Sequence, residues 1–296
     1  MRAAGLVLLA ALGPIAAAAC GGASGGVRAP VVASASASVS ASASASALPV
    51  ATATAVAATP AASAGAATDW LKSVPSRPVS AKVNDLVWAA VPTNADVRVG
   101  IYRVLEVTGA TAALQDILRV RWEKVPGALV MPLGDPFRLK QDMLVTYADW
   151  RGYVGVGMIV RTQPRTRVTY RDAAAVVREE TAYVAEPLVG SIAALQFVTF
   201  TRDGGDHKGL VFLVDGDSVF LRDESGHAVV VDRAQVKPLK IPAKKLKIGD
   251  AVRAYSRDRG YRPGVVANVF LPGLSYGVTA DDETRQYFFS DLALPQ

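Results

Sequence analysis

The sequence has one cysteine and two histidines among its 296 residues. A lone Cys20 excludes an intramolecular disulfide and any cysteine-built metal site, and His207 and His227 are the only imidazole ligands. Acidic side chains are absent before Asp69, where Arg2 and Arg28 are the sole charges. There is no Gly-rich phosphate loop, because Gly152 to Gly157 falls in an expected hairpin with no helix after it. There is no Gly-x-Ser-x-Gly elbow. No apolar run reaches the ~20 residues of a membrane-spanning helix. These absences argue against nucleotide enzymes, serine hydrolases and multi-span membrane proteins. The expectation is no cofactor, no metal and no catalysis. The carboxylates of Asp281-Asp282-Glu283 fit a solvated hairpin turn better than a cation site, and both histidines lie in turn clusters. A metal-assisted hydrolase, the lesser alternative, requires His207, His227 and acidic groups to converge.

What is present begins with Met1-Arg2 and an apolar stretch, Ala3 to Ala18, broken by Gly13-Pro14. At ~16 residues it is short for a span and reads as a signal peptide over residues 1–19. Ala17-Ala18-Ala19 precedes Cys20 and Gly21-Gly22 follows it. This resembles a bacterial lipobox, which implies that Cys20 is lipidated and becomes the mature N-terminus. Ala17 departs from the leucine usual there. Ordinary signal-peptidase cleavage after the same Ala-x-Ala is the competing reading, and it leaves an exposed thiol that lipidation would remove. The implied location is the cell envelope: a membrane-anchored lipoprotein facing the periplasm or exterior, touching the membrane through its N-terminal lipid. Residues 20–68 are almost wholly small and uncharged, with Ala-Ser alternating from Ala33 to Ala47. Such side chains cannot offset the entropy of ordering, so a disordered tether is expected, with a reach on the order of 40 Å.

The remainder repeats. In Lys247 to Leu292, short alternating or β-branched runs are separated by Ser256–Gly260, Pro272-Gly273 and Asp281-Asp282-Glu283, a pattern of four short antiparallel strands. Asp142, Tyr147, Arg151-Gly152-Tyr153 and Gly157 match Asp250, Tyr255, Arg259-Gly260-Tyr261 and Gly264. Asp85 with Gly100 to Val104, and Leu195 with Phe200 and Gly209 to Val214, fit the same frame. The entry points Asp85, Asp142, Leu195 and Asp250 lie 57, 53 and 55 residues apart. A fixed period argues for tandem copies of one module, against the alternative of a single larger β-domain. Third strands are expected at Leu118–Trp122, Arg167–Tyr170, Ser218–Leu221 and Tyr276–Thr279, with a long turn at Gly109–Gln115. The segment Asp172 to Glu180 extends a hairpin or forms a short helix. Modules of this size bury little core each, so packing between neighbours should supply part of the stability.

The order of features in the last module, from the Gly249-Asp250 entry through Pro263-Gly264-Val265-Val266 to the aromatic strand and Asp291-Leu292, resembles the Tudor and SH3-like barrel. The resemblance implies an all-β fold of about four tandem small barrels: residues 69–140, 141–190, 191–240 and 241–296. It also implies aromatic ligand cages, in which a desolvated cation over ring faces gains up to ~2 kcal/mol. The matching positions are Tyr255, Tyr261 and Tyr276 in the fourth module and Tyr147, Trp150, Tyr153 and Tyr170 in the second. Trp88, Tyr102 and Trp122 are looser candidates in the first. The third offers only Phe200, Phe212 and Phe220. Core packing competes with this reading at every strand position. From Asp69 onward 30 basic side chains face 26 acidic ones, a net +4, too mild for nucleic acid to be expected as a partner. Basic residues still cluster, at Lys237, Lys240, Lys244, Lys245 and Lys247 and at Arg257, Arg259 and Arg262. The expectation is therefore a non-enzymatic binding or scaffolding protein with a protein or cell-wall partner. The alternative is an anionic-polymer or lipid-surface binder using the basic clusters.

Overall fold

The computed structural model describes residues 69–93, 96–171, 176–243 and 245–296, with the backbone alone at Phe137. The expected signal peptide, Cys20, the expected tether and Lys244 lie outside the described residues. Alternating and β-branched stretches form four five-stranded antiparallel sheets. The first comprises β1 (Leu86–Pro92), β2 (Val97–Thr108), β3 (Thr111–Asp116), β4 (Arg121–Pro126) and β5 (Val130–Pro132). The second comprises β6 (Leu144–Ala148), β7 (Val154–Arg161), β8 (Arg167–Arg171), β9 (Val177–Thr181) and β10 (Val184–Pro187). The third comprises β11 (Phe197–Arg202), β12 (Gly205–Asp215), β13 (Ser218–Asp223), β14 (Ala228–Asp232) and β15 (Val236–Pro238). The fourth comprises β16 (Ala251–Ser256), β17 (Gly260–Leu271), β18 (Ser275–Ala280), β19 (Glu283–Phe288) and β20 (Leu292–Ala293).

All four sheets share one topology. The first four strands form a meander, and the fifth returns to pair with the first. None of the four ladders closes on itself, so in place of closed barrels of four strands the chain builds open sheets of five. The fifth strands escaped sequence reading because they are only two to four residues long. In the first, third and fourth sheets a 3-10 turn delivers them: Gly127–Leu129, Arg233–Gln235 and Phe289–Asp291. Thr111 to Gln115, expected as part of a turn, lies in strand β3. The expected third strand at Leu118–Trp122 is instead a loop running into β4. Val177 to Thr181 is strand, and Asp172 to Ala175 lie outside the described residues.

The repeat has a backbone signature. Asn84, Asp142, Leu195 and Gly249 all have positive φ, at 75°, 63°, 64° and 93°. Each donates its N–H to a carbonyl of the second strand, on Val104, Ile159, Val211 and Val266. Each of those four donates back to the residue after the turn, at 2.9–3.0 Å. All four are buried, and a β-bulge follows each of them. A bulge increases local twist, so every module coils at the same point.

The second, third and fourth sheets each keep a small core of their own, around Tyr147 and Ile159, Phe200 and Leu221, and Val252 and Tyr276. Further apolar clusters cross between sheets. One joins the first sheet to Phe212 and Phe220 of the third, closed by Trp70 of the short helix α1 (Asp69–Lys72). Trp70 meets Phe212 edge-on at 5.4 Å. Another brings Leu144 and Val156 of the second sheet against Tyr261, Phe288 and Phe289 near or in the fourth. Polar ties reinforce these contacts. The Thr146 hydroxyl donates to the Leu195 carbonyl at 2.6 Å, and the Gln196 amide bridges Val189 and Pro187 at 2.8 Å. Arg253 bonds Asp206 at 2.5 Å, tying the fourth sheet to the third. Among the described residues no helix is long and apolar enough to cross a membrane.

Candidate ligand-binding cleft

The aromatic candidates separate by strand register. Pairing with β2, β7, β12 and β17 makes Leu86, Leu144, Phe197 and Ala251 equivalent. Tyr147 is then the counterpart of Phe200 and Ala254, while Tyr255 lies one residue further along its strand. A slip of one residue turns a side chain to the other face. Tyr147 accordingly points into the core of its own sheet, fully buried, and Tyr255 packs half-buried in the cluster between sheets.

Tyr147, Tyr153 and Tyr170 do come together, with ring centroids 5.3–6.2 Å apart. They do not frame an open cage, because Tyr147 and Tyr170 are buried and only Tyr153 keeps half its surface exposed. Burial, and then a 2.7 Å hydrogen bond to Glu180, pushes the Tyr170 hydroxyl up to about 12. Trp150 is exposed, but Arg151 covers one face at 4.8 Å and Glu180 holds its Nε1 at 3.1 Å. In the fourth module Tyr261 lies in β17, not in a turn; it is buried, and its hydroxyl lacks a partner among the described residues. Tyr276 is a brace: its hydroxyl accepts the N–H groups of Leu246 at 3.2 Å and Gly273 at 2.9 Å. Tyr147, Tyr261 and Tyr276, expected as ligand contacts, are therefore core residues. Trp88, Tyr102, Phe200, Phe212 and Phe220 are buried as well, and the Trp122 indole N–H is buried without a partner among the described residues.

The basic candidates do not form one patch either. Lys237, in β15, and Lys240, Lys245 and Lys247, along the connection to the fourth sheet, are exposed, and that connection is pinned by buried Ile241 and Leu246. Arg259 is taken up by Asp258 at 3.4 Å and Asp281 at 3.6 Å, and Arg262 is exposed nearby. His207 is a half-buried strand residue, its ring 6.1 Å from Phe200, and not an exposed turn residue. His227 is exposed, 3.6 Å from Asp96 and 3.7 Å from Asp223. Among the described residues no three His, Asp or Glu side chains are grouped to hold a metal ion.

Two of the candidates, Tyr153 and Arg257, meet in one place. A cleft of about 610 Å³ opens where the second, third and fourth sheets adjoin, within the usual size of small-molecule sites. Its apolar wall is Val154 and Val156 of β7 with Phe197 and Leu210 of the third sheet. Four cations face it: Arg171, Lys208, Arg222 and Arg257. Sequence reading missed Lys208 and Arg222 because nothing local marks them. Both sit on ordinary strands, and only the packing of three modules converges them.

The acids of the cleft are mostly committed. Asp291 holds Arg171 at 3.0 Å and lies 4.0 Å from Lys208. Lys208 is buried, donates to the Ser290 carbonyl at 2.9 Å and covers the Phe197 ring at 5.5 Å. Asp223 is buried, accepts the N–H groups of Ser225 and His227, and pairs with Arg202 at 2.9 Å. Glu224 lies at the solvent edge, and the protein packed around its carboxyl raises its pKa, against the pull of Lys208. Arg222 and Arg257 make no ion pair among the described residues. The Arg222 Nε is buried without a hydrogen bond among the described residues, and burial lowers that side chain's pKa.

The chain matches no family model, and comparison with curated proteins finds no relative.

Proposed function

We propose that this chain is a non-catalytic binding protein of the bacterial cell envelope, anchored by a lipid on Cys20 and carrying four SH3-like modules on an Ala/Ser-rich tether. The SH3-like reading is supported by the shared strand order, with a fifth strand returning to the first, and by the 3-10 turn before that strand in three modules. Binding in preference to chemistry is supported by the cleft. Its Asp223 and Asp291 carboxylates are held by arginines or backbone amides and Glu224 is hydrogen-bonded to Tyr255, which leaves none of the three as a free base. The single observation that carries the reading is the convergence of three modules on one sizeable concave site, with exposed Tyr153 and two arginines that make no ion pair among the described residues in its wall. SH3-like modules host many functions, so the reading rests on this site and not on the fold.

The test is retention of envelope material on the immobilised full chain, washed at low and then high salt. A component held by the wild type and released by Arg257→Gln supports the reading. Chemical conversion of whatever is retained contradicts it. Retention only at low salt, unaffected by Arg257→Gln but lost on neutralising Lys237, Lys240, Lys245 and Lys247, favours an anionic-polymer or lipid-surface binder.

A further inference from the structure

We infer that the cleft between the second, third and fourth sheets holds a small organic anion, its acidic group between Arg222 and Arg257 and its apolar or ring portion against Tyr153, Val154 and Val156. The inference rests on the binding reading above and adds the ligand's chemistry.

Of the four cations in the wall, Arg171 and Lys208 already share Asp291, and Asp223 is satisfied by Arg202 and two backbone amides. Glu224, near Arg257, is hydrogen-bonded to Tyr255 and also interacts with Lys208. Arg222 therefore stays half-buried with no ion pair among the described residues, a costly arrangement for a cation unless something pairs with it. A guanidinium presents parallel N–H donors that match the two oxygens of a carboxylate or phosphate.

The rest of the site adds shape. Val154, Val156, Phe197 and Leu210 in the lining offer apolar contact, and Tyr153 adds an exposed ring. A volume of about 610 Å³ holds more than an inorganic ion. The site thus selects an anion with an apolar body. A carboxylate and a phosphate monoester share that chemistry.

The experiment is calorimetric titration of the full chain, purified in detergent at low salt, with phenyl phosphate, benzoate, inorganic phosphate and, as a neutral control, phenol. Saturable one-site binding of phenyl phosphate or benzoate is expected, with inorganic phosphate and phenol at least tenfold weaker. The tighter of the two aromatic anions names the acidic group. Arg222→Gln and Arg257→Gln should each weaken that anion by about 10- to 100-fold. Tyr153→Ala should weaken the aromatic anions while leaving inorganic phosphate unchanged. Arg257 is exposed, so its variant keeps the test alive if Arg222→Gln fails to fold. Phenol binding as well as the anions, or undiminished anion binding by a folded Arg257→Gln, overturns the inference. So does the absence of saturable binding. If envelope material is still retained in that last case, the cleft assignment fails and the binding reading stands.

Discussion

At the residue scale, aromatic side chains divide between those that build the fold and those left exposed. Tyr276 belongs to the first group, because its hydroxyl satisfies two backbone N–H groups. Tyr276→Phe should cost about 1–3 kcal/mol in urea unfolding by orphaning those donors. A loss below ~0.5 kcal/mol would show that water replaces the hydroxyl. Gly260 is needed twice over: its φ is +69°, and a Cβ there would run into the Asp206 backbone of the third sheet. Gly260→Ala should destabilise by at least ~1–2 kcal/mol from backbone conformation alone, read by the same unfolding curve. In the sequence both residues were visible as parts of a motif, but their roles were not. Tyr255 and Tyr147 occupy matching sequence positions after an aspartate and still face opposite sides of their strands. The slip lies at the entry turn, where Asp142 corresponds to Gly249 and not to Asp250. Gly157 and Gly264, by contrast, were matched correctly, because both lie two residues before the buried Ile159 and Val266.

At the element scale, the module is defined by its entry turn and the bulge it faces. The fourth module solves the positive φ with Gly249, the others with Asn84, Asp142 and Leu195. Glycine adopts this conformation without strain, while a β-branched residue does not. Asp142→Gly should therefore leave stability unchanged or raise it by up to ~1 kcal/mol, and Asp142→Val should lower it by about 1–2 kcal/mol. Equal stability of the two variants by thermal unfolding would mean that the turn tolerates other geometries. The all-β class and the fourfold period were legible because strand periodicity and turn residues recur at near-constant spacing. The fifth strands were not, since two to four residues carry no periodicity and their place depends on a turn folding back onto the first strand. Strand β3 was hidden for a related reason: the two-residue turn at Gly109-Ala110 was read as a longer one.

At the scale of the whole molecule, tyrosines link the cores to alkaline stability. Burial raises the hydroxyls of Tyr102, Tyr147, Tyr170, Tyr255, Tyr261 and Tyr287 above their ordinary value near 10. The fold binds these protons more tightly than the unfolded chain does. Their contribution to stability is thus complete below pH ~10 and is lost as pH rises from there through the folded values. Tyrosinate absorbance should lag the ordinary titration and then rise cooperatively with loss of β-sheet circular dichroism. A smooth titration centred near pH 10 with the fold intact would contradict this. The cleft belongs to the same scale. Arg257 and Tyr153 were legible as candidates, each in its own module, whereas their convergence with Lys208 and Arg222 depends on packing between modules, which the period of the repeat does not encode.

The central claim is that this chain binds its partner through that cleft, and the most direct measurement compares retention of envelope material by the wild type and by a Tyr153→Ala, Arg257→Gln double variant. Both side chains are exposed, so the variant should melt within ~1 kcal/mol of the wild type. The account predicts that the wild type retains a component which the double variant loses. Equal retention by a folded double variant would contradict it.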